Sequence, residues 1–180
     1  MTDNSITKPT SSRSYFSRLS KEGLLKEVTE IIKRFPEVRQ YYQSKFNTNT
    51  QREMVEQYKK KIKHEFFPDR GLGHARLSIA KKTIADYKKI TSRSEDIVDL
   101  MLFYVEQGVE FTLEYGDIDE PFYNSMESMY VNALQLIKKE NLLEQFRDRC
   151  KKIVDKTSDM GWGFHDTLSD YYEESFGKYE

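Results

Sequence analysis

From Ser20 onward the apolar residues of this chain recur at spacings of three and four, the period of helices that bury one face. Ser20 is placed to cap a first helix whose face is Leu24, Leu25, Val28, Ile31, Ile32 and Phe35. Pro36 ends or kinks it, because proline brings no N–H to the helical ladder. A short aromatic piece follows, with Val38, Tyr41, Tyr42 and Phe46. The polar run Asn47-Thr48-Asn49-Thr50 reads as a break with a ready cap. Met54, Val55, Tyr58, Ile62 and Phe66 give the next helix, closed by Pro68 and Gly71-Leu72-Gly73. A helix from about 74 to 90 turns Leu77, Ala80, Ile84 and Tyr87 inward and Lys81, Lys82, Lys88 and Lys89 outward.

Ser92 followed by Glu95 fits a capping box, with each side chain reaching the other's backbone N–H. The helix from about 95 to 115 is apolar nearly all round, which predicts a central position. Its acids Asp99, Glu106, Glu110 and Glu114 lie on one stripe. Gly116 breaks the chain, and Asp119 caps the next helix with Glu120 and Pro121 in its first turn, where acids and proline are favoured. Phe122, Met126, Met129, Tyr130, Ala133, Leu136 and Ile137 form its inner face. A further helix carries Leu142, Leu143, Phe146, Cys150, Ile153 and Val154, and a last one runs from about 164 to 176 after the turn Gly161-Trp162-Gly163. No segment alternates as a half-buried strand does. The expected fold is all-α, with about seven or eight helices as a compact bundle or a short right-angled stack of helical hairpins, over residues 20–180 as one domain. Residues 1–19, rich in Ser and Thr, read as a mobile tail.

Composition narrows the class. One cysteine, Cys150, excludes an internal disulfide and a cysteine-based zinc site. The first 20 residues lack the apolar stretch of a signal peptide, and no run approaches a membrane span, so the expectation is a soluble cytoplasmic protein with no membrane partner. The net charge of −1 hides an asymmetry. Residues 59–90 hold ten Lys or Arg against three acids, and residues 91–136 hold one Arg against ten acids.

Glu114, Asp117, Asp119 and Glu120 cluster around a turn and could offer oxygens to a cation, but the calcium-loop spacing fails at Pro121, and capping accounts for Asp119 and Glu120. The residues three before His64, His74 and His165 are Lys61, Gly71 and Trp162, which excludes the Glu-x-x-His pairs of di-iron bundles. The segment Gly161 to Asp166 is the most distinctive local string. His165 beside acids could act as a general base, whereas the bland reading is an aromatic plug at Trp162 with Asp166 near a helix N-terminus. Gly71-Leu72-Gly73 is a weak phosphate signal and reads better as a helix–helix turn. No cofactor is implied.

Three strings, RLSIAKKTIADYKK (76–89), EYGDIDEPFYNSMESM (114–129) and GWGFHDTLSD (161–170), resemble a family of uncharacterised bacterial proteins known only as a domain of unknown function, over about residues 20–175. The resemblance implies a small helical domain and carries no activity, cofactor or catalytic residue. The leading expectation is a non-catalytic protein–protein interaction module with opposed faces. The acidic one is Asp99, Glu106, Glu110, Glu114 and Asp117. The basic one is Lys59, Lys60, Lys63, Arg70, Arg76, Lys81, Lys82, Lys88 and Lys89. The alternative is RNA or DNA binding by that basic block. An enzyme comes third and would need acids from 106–120 to converge with His165 in one cleft.

Overall fold

The computed structural model describes residues 11–46 and 48–178, and at 44 and 48–50 the backbone alone. The fold is all-α. The described residues form nine helices and no strand: α1 (Ser12–Phe16), α2 (Lys21–Arg34), α3 (Pro36–Phe46), α4 (Thr48–Phe66), α5 (Leu77–Ile90), α6 (Ser94–Tyr115), α7 (Glu120–Lys139), α8 (Leu143–Asp155) and α9 (Phe164–Phe176). The helix beyond the expected eight is α1, a five-residue turn capped by Ser11, whose hydroxyl accepts from the Ser14 N–H at 3.2 Å. Tyr15 on α1 donates to Glu27 of α2 at 2.9 Å. Residues 1–10 of the expected tail lie outside the described residues.

Local chemistry explains most boundaries. Ser20 accepts from the Gly23 N–H at 3.1 Å and starts α2. Pro36 opens α3, where its missing N–H costs nothing. The aromatic piece around Tyr41 is therefore a full helix. Asp119 accepts from the Phe122 N–H at 2.9 Å and starts α7. Two expectations are corrected. The Ser92–Glu95 capping box does not form: α6 starts at Ser94 after Arg93, Thr91 accepts the Arg93 N–H at 3.1 Å, and Glu95 pairs with the Arg93 guanidinium at 2.7 Å. The helix expected from 74 begins at Leu77, because the Arg76 N–H is held by the Glu65 carbonyl at 3.0 Å and Ala75 takes a positive φ of 44°. Of the break expected at 47–50, Asn47 lies outside the described residues and 48–50 are the first turn of α4.

Helix α6 is central as its composition demands, packing against α4, α5, α7 and α8. The aromatic share is largely core. Rings run from Phe66 (α4) to Tyr104 and Phe111 (α6), on to Phe122 and Tyr123 (α7) and then to Phe164 (α9), with centroids 5.0–6.2 Å apart. Four buried tyrosines each place the hydroxyl on a partner: Tyr87 on Asp96, Tyr104 on Ser125, Tyr123 on Asp117 and Tyr130 on the Cys150 carbonyl. Burial pushes the Tyr104 phenol up to about 12, so it stays protonated. Gly73 lets the α4–α5 connection lie directly on this core. A Cβ there would stand 2.6 Å from the Phe111 ring and 2.7 Å from the Phe66 carbonyl oxygen. The core cluster begins at Met54, and neither α1 nor α2 contains a buried residue.

Candidate interaction surfaces

The acidic stripe of α6 does not stand open to solvent. Helix α8 lays Arg149, Lys152 and Lys156 against it, and these three residues share one helical face. Arg149 grips Glu106 with two N–H groups, Nε to Oε1 at 2.6 Å and Nη2 to Oε2 at 2.9 Å. The same guanidinium reaches Asp99 Oδ1 at 2.5 Å and the Asp99 carbonyl at 3.2 Å. Lys59 of α4 completes the set with Nζ 2.9 Å from Asp99 Oδ2. Asp99, Glu106 and Arg149 side chains keep only 24%, 30% and 26% of their exposure, so this network is shielded rather than solvated. Burial opposes the Arg149 charge, yet the bonds to Glu106 and Asp99 prevail and hold its pKa above the ordinary value. Nearer the surface, Lys156 meets Glu110 at 2.5 Å. A cleft of about 270 Å³ lies between α6 and α8, lined by Glu106, Glu110, Arg149, Lys152 and Lys156 together with Val109 and Ile153.

The last two acids part company. Glu114 is exposed at the end of α6, with no ion pair among the described residues. Asp117 latches two loops together: it accepts from the Tyr123 hydroxyl at 2.7 Å and from the Gly161 N–H at 3.3 Å. A Cβ at Gly161 would stand 2.6 Å from Asp117 Oδ2, so any larger residue there pushes the carboxylate aside.

The basic residues divide differently. Lys59 turns inward to Asp99, Arg76 pairs with Glu65 at 2.8 Å, and Lys89 pairs with Asp86 at 2.7 Å. Asp86 also feels Lys82 and, from α4, Lys61, and with the Lys89 bond these cations hold its carboxyl below the usual range. The α4 and α5 lysines therefore meet across the helix pair. Lys60, Lys61, Lys63 and His64 line an open depression of about 540 Å³ along the end of α4, together with Glu65, Phe67 and Asp69. Lys60, Lys63, Arg70, Lys81, Lys82 and Lys88 are exposed and have no ion pair among the described residues. The expected single face is corrected on one side: Lys88 faces away from α4, toward a groove with Met101, Met129 and Lys139.

At the Gly161–Gly163 turn the aromatic plug is Phe164, 1% exposed, and not Trp162, which stands 59% exposed on a backbone with φ of 61°. His165 Nδ1 lies 2.9 Å from the Thr157 hydroxyl oxygen. That hydroxyl donates its one proton to the Val154 carbonyl at 2.7 Å, so Nδ1 carries the proton in the His165 contact. Asp166 is exposed in the first turn of α9, a place the helix dipole favours. His165 does not line the cleft of Glu106 and Glu110. Cys150 is fully buried and its thiol is pushed up to about 12. Among the described residues no three His, Cys, Asp or Glu side chains gather as a metal set, and no helix is long and apolar enough to cross a membrane.

Residues 9–176 match a family of unknown function, DUF6155. The chain belongs to this family. The match takes in the second half of the Ser/Thr-rich head, beginning earlier than the resemblance alone implied. No curated protein and no solved structure matches the chain.

Reading the sequence by charge blocks missed Arg149, the residue that organises the α6 acids. The signal was present: Arg149, Lys152 and Lys156 repeat at helical spacing and complement Glu106 and Glu110. The two charge blocks end at residue 136 and leave α8 out, and there Glu144, Asp148 and Asp155 offset these cations in any count.

Proposed function

We propose that this chain is a binding module rather than a catalyst, and that it takes an acidic protein surface on the flank built by α4 and the facing side of α5. The observation that carries the reading is the unequal neutralisation of its two charged regions. Asp99, Glu106 and Glu110 are occupied by Arg149, Lys59 and Lys156, whereas Lys60, Lys63 and Lys82 stand exposed around the α4 depression and Asp86. Repelling cations held on rigid helices raise one another's cost in the free protein. A partner carboxylate relieves that cost and also steers association. Glu65, Asp69 and Asp86 interrupt the lysines, which suits a protein with mixed charge better than a continuous row of phosphates. The groups with chemistry to offer are otherwise employed: His165 holds Thr157, Asp117 holds Gly161, and Cys150 is sealed in the core. The partner is expected in the cytoplasm.

The test is recovery of the tagged protein from its native cells, with and without nuclease, beside the variant Lys60→Glu/Lys63→Glu/Lys82→Glu. A protein that survives nuclease and is lost from the folded variant supports the reading. Recovery that collapses on nuclease moves the flank to nucleic acid, and a partner retained by the variant removes the flank from binding altogether.

A further inference from the structure

The N-terminal helices present a second surface, independent of the lysine flank. Among the described residues helix α2 makes its principal packing contacts with α3, α1 reaches it through the Tyr15–Glu27 hydrogen bond, and every apolar residue on it remains partly or fully exposed, with Leu25 at 60% and Phe35, at its C-cap, at 48%. Its apolar stripe has a finer order than an ordinary amphipathic helix. Leu24, Val28, Ile31 and Phe35 are spaced 4-3-4, which is the d-a-d-a seam of a two-stranded coiled coil. On that register Leu25 and Ile32 fall at e positions, and Glu27 and Arg34 at g positions.

We infer that α2 pairs with α2 of a second copy of this chain, antiparallel and about a two-fold axis. The sequence is complementary to itself in that direction. Leu24 meets the second copy's Phe35 and Val28 meets its Ile31, so the same layers recur on both sides of the axis. One flank then sets Glu27 of each copy beside Arg34 of the other, two opposite-charge pairs, and the other flank sets Leu25 beside Ile32, two apolar pairs. A parallel pairing would place Glu27 against the second copy's Ile32 and lose both charge pairs, so the g residues choose the orientation. The surface is self-complementary, which is what a closed dimer requires. The seam is short, about 20 Å at 1.5 Å per residue, so the dimer is reversible. The α4–α9 core, to which α2 contributes no buried residue, folds the same way in one copy or two.

Sedimentation equilibrium of the full chain over a dilution series tests this, with helical content and thermal unfolding followed in parallel. The wild type is expected to move between one and two chain masses. Val28→Asp/Ile31→Asp is expected to be monomeric throughout with its main unfolding transition unchanged. Glu27→Arg alone and Arg34→Glu alone should each weaken the dimer, and the double variant Glu27→Arg/Arg34→Glu should regain it, because the swapped charges meet again across the axis. A wild type that stays monomeric at every concentration, a dimer indifferent to Val28→Asp/Ile31→Asp, or a double variant weaker than either single one would overturn the inference.

Discussion

Two charged regions of this molecule look alike in the sequence and have opposite fates in the fold. The acids of α6 and the lysines of α4 and α5 are both dense, helical and dominated by one sign. The acids are answered from within: α8 arrives more than forty residues later in the chain and lays Arg149 across Asp99 and Glu106. Nothing comparable reaches Lys60, Lys63 or Lys82 among the described residues, and Asp86, the acid that Lys82 acts on, is already paired with Lys89. A charge block therefore marks a binding face only if no later element neutralises it. Burial sharpens the difference, because an ion pair kept at a quarter of its exposure resists salt and solvent far better than one at the surface.

The largest expected effect comes from breaking the inner pairing. Arg149→Met leaves Glu106 shielded without its cation and Asp99 with Lys59 alone, and should cost about 3 kcal/mol of unfolding free energy, less than for a fully buried pair because water still reaches the site. Denaturant unfolding reads this directly. A smaller loss, about 1 kcal/mol, is expected for Gly161→Ala, which pushes Asp117 off its loop contact and makes an inward-tied acid an outward one. Lys156→Ala should change stability by at most about 0.5 kcal/mol, since both it and Glu110 are half exposed.

The smallest effect concerns Glu127, whose carboxyl is pushed above the usual range by burial alone. The native state holds that proton more tightly than the unfolded chain. Stability should therefore fall as pH rises from the ordinary carboxylate range through the raised native value. Glu127→Gln has no proton to lose there. Thermal melts should show a slight gain over wild type at neutral pH and none in acid below the unfolded carboxyl's titration.

Much of the fold was legible in advance because helix signals are local. Ser20, Pro36 and Asp119 act on the residues beside them, and the period around Val98 to Val109 announced a central helix before its neighbours were known. The failures share one cause. The Ser92–Glu95 box lost to a guanidinium one residue away, Trp162 yielded its place in the core to Phe164, and Asp99 and Glu106 turned toward α8. Each depends on which side chain competes for a position in space, and spacing along the chain does not encode that competition. Of the basic residues, Lys60, Lys63, Arg70, Lys81 and Lys82 are exposed, whereas Lys59 and Arg76 pair with Asp99 and Glu65, acids that spacing along the chain does not point to, and Lys89 pairs with Asp86 on its own helix.

The most direct test of this division of labour compares two variants that each remove two charges, Asp99→Asn/Glu106→Gln and Lys60→Gln/Lys63→Gln, by equilibrium unfolding in denaturant. The first should lose about 3 kcal/mol, because Arg149 keeps its shielded charge and loses both carboxylates. The second should stay within about 0.5 kcal/mol of wild type, because exposed charges away from a network carry little of the fold. Equal losses, or a larger loss for the lysine pair, would contradict the account.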